Sequence, residues 1–183
     1  RDKDTSRGLG DVYKRQPPEG VVRFTVGQPD FRTPQPVVDS AVIALEAGMH
    51  GYTRSQGTES ACKSVAEHLS KYGIDVDHND VVISPGCKQA LLYAMMTCLN
   101  PGDEVILLSP AWPSYEGMLS LIGAVPVNVP VNRHNYHPDM DAIRSAITPK
   151  TKAIMVNSPN NPTGAVYLPS EIKELTDIAI END

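Results

Sequence analysis

The segment NSPNNPTG, residues 157–164, holds the densest group of side chains that could do chemistry. Three amides, Asn157, Asn160 and Asn161, share six residues with two prolines and follow an apolar run. Because Asn-Pro pairs favour turns, a simple turn cap is the ordinary interpretation. Three amides at the end of one apolar strand indicate instead that a polar group is held at this point.

A second candidate is SPGCKQAL, residues 84–91, which joins an apolar run to a helical pattern. Gly86 lets a backbone approach closely, and the first N–H groups of a helix can bind an anion at the positive end of the helix dipole. A phosphate suits this chemistry, although Pro85 and Gly86 also suit a plain tight turn into a buried helix. The segment matches neither GxxxxGK[ST] nor GxGxxG, so a P-loop or a Rossmann fingerprint does not explain it.

Trp112 is the only tryptophan, and it lies in SPAWPSY between Pro110 and Pro113. An indole in such a rigid loop could stack on a flat heteroaromatic ring, whereas a single tryptophan is more often part of a core. These residues alone leave both interpretations open.

Alternating strands and helices must position these three loops. Apolar runs predict strands at VVIS (81–84), EVILLS (104–109), VPVNVPV (125–131) and KAIMVNS (152–158). Helical spacing predicts helices over about 86–99, 114–122 and 139–147, and a last helix with Ile172, Leu175 and Ala179 on one side.

This alternation, with strands that are apolar on both faces, predicts an α/β fold with a mostly parallel sheet and helices on both faces. The helix from Gly86 is apolar nearly all round, so it is predicted to be buried against the sheet. Ligands in such sheets gather beyond the carboxyl ends of the strands, so the three loops are expected to meet there.

The N-terminal part is organised differently. Residues 1–16 carry eight charges and no apolar period, so we expect an extraneous or disordered tail. The run VVRFTV predicts a short strand that enters a loop. Two amphipathic helices follow, one from about Pro36 that ends at Gly48, and one marked by Ala61, Val65 and Leu69 that ends at Gly73.

The composition is that of an ordinary globular domain, with 183 residues, 40% apolar and 21% charged. A net charge of −6 without a basic cluster predicts no nucleic-acid or membrane partner. With no apolar run near the roughly 20 residues of a membrane span, and no secretory signal, we expect a cytoplasmic protein. The three cysteines show no CxxC spacing, so neither disulfides nor a metal site is expected.

GQPDF, SPGCKQAL, NPGDEVILLSPAWPSY and NSPNNPTG occur in this order and at separations that resemble one family. Over about residues 19–183 the chain is similar to the class I/II aminotransferases, the aspartate aminotransferase-like enzymes of pyridoxal 5'-phosphate (PLP) fold type I. The resemblance implies PLP as the cofactor. It also implies a division into a tail (1–16), an N-terminal segment of the small domain (17–48) and the truncated first half of the large PLP-binding domain (49–183).

The resemblance assigns roles to individual residues. It implies that Gly86, Cys87 and Lys88 surround the PLP phosphate, that Trp112 stacks on the pyridine ring, and that Asn161 binds the phenolic oxygen. It further implies that Gly27 lies beside the substrate carboxylate and that Tyr52 reaches the phosphate of a partner subunit, so a homodimer is expected.

We therefore expect the full-length parent to be an aminotransferase of amino acid metabolism, which exchanges an amino group between an amino acid and a 2-oxo acid. In the family the Schiff-base lysine lies further along the chain, so no catalytic residue is assigned and the chain alone is expected to be inactive. Two alternatives stay open: a fold type I PLP lyase or synthase, and a noncatalytic aminotransferase-like regulatory module that binds PLP. The amino donor is not predicted.

Overall fold

A computed structural model describes Gly20, Gly27 and residues 29–182. The chain divides into two compact units, residues 1–52 and 53–183. The predicted tail and the predicted strand VVRFTV lie outside the described residues.

The first unit contains helix α1, Gln35–Glu46. Proline in its first turn needs no intrahelical N–H bond, and Gly48, with φ of 75°, follows its last turn. The helix predicted from about Pro36 to Gly48 is confirmed.

The second unit contains the other helices and strands of the described residues. They are α2 (Glu59–Ser70), a 3₁₀ turn (His78–Asp80), α3 (Cys87–Cys98), β1 (Glu104–Ser109), α4 (Ser114–Ile122), β2 (Val125–Pro130), α5 (Met140–Ala146), β3 (Thr151–Met155) and α6 (Pro169–Glu181). The three strands form a parallel sheet in the order β2-β1-β3. The predicted α/β architecture is therefore confirmed.

The central strand β1 separates two hydrophobic clusters. Val105 and Leu107 face one cluster, which includes side chains of α3 and α4. Ile106 and Leu108 face the other, which includes side chains of α5 and α6. Because side chains alternate along a strand, helices cover both faces of the sheet.

The predicted strand VVIS forms no strand in the structure. Residues 81–84 are joined to a loop rather than to a strand, since the N–H of Ile83 donates to the carbonyl oxygen of Gln56 at 2.8 Å. Val82 and Ile83 stay exposed. An apolar run forms a strand only where a partner strand completes the hydrogen-bond ladder.

The prediction that the helix from Gly86 is buried is also wrong. Among the side chains of α3, Met95 alone is buried, while Tyr93 and Met96 are exposed. One side of α3 packs on the cluster around Leu107, and its other side has no cover among the described residues.

Tyr167 is buried, with 5% of its surface exposed, and its hydroxyl has no hydrogen-bond partner within the described part of the chain. Burial, and to a smaller extent the carboxylate of Glu171, raise the pKa of Tyr167 above its ordinary value of 10.0. The folded state therefore favours the neutral phenol. Stability linked to it is present below pH 10 and is lost as the pH rises through the raised pKa.

We expect Tyr167→Phe to stabilise the fold by about 1 kcal/mol at pH 7, because the change removes an unsatisfied buried hydroxyl. The advantage should widen above pH 10, where the wild-type phenol must ionise on unfolding. Urea unfolding at pH 7 and pH 10.5 measures both effects. Tyr72→Phe, at an exposed ring, is the control and should change stability by less than about 0.5 kcal/mol. A loss of stability in Tyr167→Phe would contradict the prediction.

None of the helices in the described ranges has both the length and the apolar character that a membrane crossing requires.

Candidate functional site

The start of α3 has the features of an anion-binding helix terminus. Gly86 precedes the helix with φ 89° and ψ 160°, a conformation that strains any residue with a Cβ. No side chain caps this helix, and a Cβ at Gly86 would meet no atom within 4 Å. Cys87 and Lys88 are exposed. The first N–H groups of α3 therefore have no side-chain partner among the described residues, at the positive end of the helix dipole.

The loop after β1 lies next to this helix start. The ammonium of Lys88 is 5.2 Å from the centroid of the Trp112 ring, a cation–π contact. Trp112 is half-buried and meets Tyr115 edge-to-face, with ring centroids 5.4 Å apart. Burial, followed by the nearby thiol of Cys87, raises the pKa of Tyr115. The helix start and the tryptophan loop are therefore neighbours.

Polar side chains support the base of the tryptophan loop. The Ser109 hydroxyl donates to Asn128 Oδ1 at 2.5 Å, and Asn128 Nδ2 donates to Glu116 Oε1 at 2.7 Å. These bonds connect the end of β1 with β2 and with α4, the helix that follows the loop. The loop is thus held at both of its ends.

The loop after β3 is tied to the tryptophan loop by Asn160. Its Nδ2 donates to the carbonyl oxygen of Pro110 at 3.1 Å and to Thr163 Oγ1 at 3.0 Å. Asn160 is 5% exposed, whereas its neighbour Asn161 is exposed and Asn157 is half-buried. The amides of the motif thus differ: Asn160 connects the loop after β3 with the loop after β1, whereas Asn161 is accessible to a ligand.

Sequence reasoning grouped these amides and did not single out Asn160. The pair of adjacent asparagines was a weak indication that one is buried and the other exposed, since side chains of consecutive loop residues commonly point in different directions. Which of the two is buried depends on the carbonyl of Pro110, fifty residues earlier in the chain.

The second unit thus brings most of the predicted site residues to one edge of the sheet. Gly86, Cys87 and Lys88 lie beside Trp112, and the loop that carries Asn161 is bonded to the loop that carries Trp112. Gly27 and Tyr52 belong to the first unit, and both are exposed. Their roles stay predictions.

Two clefts occur elsewhere on the surface. One of about 480 Å³ lies between β3 and α6, and one of about 290 Å³ lies beside α2. Neither is lined by Gly86, Trp112 or Asn161. The described residues contain no group of three side chains suited to hold a metal ion.

The fold and this edge define an α/β domain that is suited to a flat, anionic ligand. Residues 19–183 match the family described as aminotransferase class I and II, and the chain belongs to that family. Its fold is fold type I of the PLP enzymes, and the enzymes of this family depend on PLP.

Individual relatives agree with this assignment. A probable aspartate/prephenate aminotransferase from Thermus aquaticus is 41% identical over 165 residues, which cover 89% of this chain and 43% of the relative. A tetra mutant of Thermus thermophilus aspartate aminotransferase superimposes with a TM-score of 0.85 at 40% identity, over 97% of this chain and 49% of that chain. Alanine aminotransferase from Pyrococcus furiosus gives a TM-score of 0.79 at 34% identity, over 84% and 39%. The chain spans less than half the length of each.

The side chains present fit PLP. An uncapped helix start suits a phosphate, a half-exposed indole suits a pyridine ring, and an exposed amide suits a phenolic oxygen. Lys88 adds a positive charge beside the indole of Trp112.

Proposed function

We propose that the protein carrying this chain is a PLP-dependent aminotransferase that moves an amino group between an amino acid and a 2-oxo acid. The convergence of the three loops at one edge of the sheet is the observation that supports it most directly. When bound, PLP supplies an electron sink for the α-carbon of the amino acid.

The residues of this chain bind and orient in this proposal. Gly86, Cys87 and Lys88 surround the phosphate. The N–H groups of Cys87 and Lys88 hold it through charge-assisted hydrogen bonds, while the Gly86 N–H is bonded to the carbonyl oxygen of Ser84 at 2.8 Å. The indole of Trp112 stacks on the ring and excludes water from one of its faces, and the amide of Asn161 donates to the phenolic oxygen.

The first unit is proposed to contribute to the substrate site and to the assembly. Gly27 lies beside the substrate carboxylate, and Tyr52 reaches the phosphate held by a second copy in a homodimer. The fully exposed Tyr52 side chain supports this role. We assign 17–48 to the small domain and 49–183 to the large domain, and we propose a cytoplasmic enzyme of amino acid metabolism.

The donor is proposed only as a class. The three relatives described above are named as aspartate/prephenate, aspartate and alanine aminotransferases, so a small or acidic amino acid is the first donor to test. This chain supplies binding residues and no catalytic lysine, so the 183-residue chain alone is proposed to be inactive.

The test uses the full-length protein, supplied with PLP and with 2-oxoglutarate as acceptor. We expect a new cofactor absorbance band and the formation of glutamate from at least one donor among aspartate, alanine and the aromatic amino acids. Glutamate is measured with a coupled dehydrogenase, and the 183-residue chain serves as the inactive control. Bound PLP with release of ammonia or carbon dioxide but no glutamate would favour a lyase. The absence of a cofactor band would refute the proposal.

A further inference from the structure

Asn160 occupies an unusual position for a loop side chain, because it is buried and both of its amide N–H groups are bonded, at the edge where the proposed cofactor residues lie. An asparagine amide carries two N–H donors, and both are used, one by Pro110 and one by Thr163. Its backbone also closes a local turn, with its N–H bonded to the carbonyl oxygen of Ala165 at 2.8 Å and its own carbonyl oxygen accepting from Gly164 at 2.7 Å. The orientation of this side chain is therefore fixed from several directions.

The bond to Pro110 joins two loops that the sheet no longer holds together. The ladder between β1 and β3 ends with the pair Leu107 and Met155. Beyond that pair, the Asn160 amide crosses from the β3 loop to the β1 loop at 3.1 Å. It fixes the separation of the two loops after the backbone ladder has ended.

Each end of this bond is near in sequence to a residue that is proposed to bind the cofactor ring. Pro110 stands two residues before Trp112, and Asn160 stands immediately before Asn161. A shift at either end therefore moves the indole relative to the Asn161 amide. Stacking and a directional hydrogen bond on the same flat ring tolerate little such movement.

We propose that Asn160 is a positioning residue, which sets the distance between Trp112 and Asn161 and thereby the orientation of the PLP ring. This inference rests on the proposed function. The phosphate site at Gly86 does not depend on this bond, so the ring and the phosphate should respond differently when the bond is lost.

The experiment compares affinities for PLP and for inorganic phosphate in the full-length apoenzyme. Asn160→Ala removes the side-chain bonds to Pro110 and to Thr163, and Asn160→Leu removes both while keeping a similar side-chain size. We expect both variants to bind PLP about tenfold more weakly, because a displaced ring loses roughly one hydrogen bond, the one to Asn161. The affinity for inorganic phosphate should change by less than about twofold. Visible circular dichroism of the bound cofactor, which reports a fixed ring orientation, should fall in both.

Thr163→Val is the matched control. It removes the Asn160–Thr163 bond and the bond from the Ala165 N–H to Thr163 Oγ1, both within one loop, and leaves the bond to Pro110. We expect a lower melting temperature but wild-type PLP-to-phosphate affinity ratio and dichroism.

Several results would overturn the inference. The inference is wrong if both Asn160 variants keep the wild-type PLP-to-phosphate affinity ratio and dichroism. It is also wrong if Thr163→Val changes that ratio as much as the Asn160 variants do. If neither Asn160 variant folds, the residue is structural and the inference also fails. Failure of the wild-type protein to bind PLP would instead refute the proposed function itself.

Discussion

Gly86→Ala is expected to weaken PLP binding to the full-length protein by about a hundredfold, through strain at the start of α3. With φ 89° and ψ 160°, Gly86 has a conformation that is essentially restricted to glycine, and a Cβ there costs about 1–3 kcal/mol. Because the Cβ would meet open space, the cost comes from the backbone and not from a clash. The chain can relieve it only by rotating about this residue. That rotation displaces the N–H groups proposed to bind the phosphate, which are each worth about 1.5–3 kcal/mol as bonds to a charged group.

Gly73→Ala provides the comparison. Gly73 follows α2 with φ of 76°, and a Cβ there also meets open space. We expect a similar fall in melting temperature for the two variants, with PLP affinity within about twofold of wild type for Gly73→Ala. Titration of the apoenzyme with PLP, followed by absorbance, measures both. Equal PLP affinity in the two variants would mean that Gly86 acts only on the fold.

Elements with strong local signals were predictable from the sequence. Proline near the start of α1 and Gly48 after its end define that helix by backbone geometry alone. The strand EVILLS is apolar at four consecutive positions, which matches burial of both faces of β1 between helices. These properties belong to a few neighbouring residues, so no distant contact is needed to predict them.

Elements that depend on distant partners were not predictable. VVIS has the composition of a strand, but residues 81–84 bond to the loop at Gln56, and composition does not reveal whether a partner strand is present. The apolar surface of α3 indicated burial on all sides, yet Met96 remains 59% exposed. Hydrophobicity shows that a surface can be covered and does not specify what covers it.

The candidate site also contains residues that local sequence predicts and one whose role depends on a distant contact. Gly86, Trp112 and Asn161 could be selected because the motifs around them carry their resemblance to known enzymes. The role of Asn160 could not, because it follows from a hydrogen bond to a main-chain carbonyl, which every residue possesses. Its partner is set by the folding of the sheet, and no side-chain pattern encodes it.

Trp112→Ala is expected to reduce PLP affinity about thirtyfold and to lower the free energy of unfolding by about 2 kcal/mol. The first effect is the loss of a stacking surface, for which one aromatic face is worth about 1–3 kcal/mol. The second is the loss of packing, because the half-buried indole meets Tyr115 edge-to-face and lies against the cluster around Leu107. Removing the indole also leaves the Lys88 ammonium without its aromatic contact.

Two further substitutions at Trp112 separate stacking from packing. Trp112→Phe keeps an aromatic face, so we expect PLP affinity within about threefold of wild type. Trp112→Leu keeps apolar bulk without a π system, so we expect most of the stability to return while the affinity stays low. PLP titration and thermal unfolding of all three variants give the two quantities independently. If affinity follows stability across the series, with leucine as good as phenylalanine, the indole supports the loop only by packing, and the proposed stacking role is wrong.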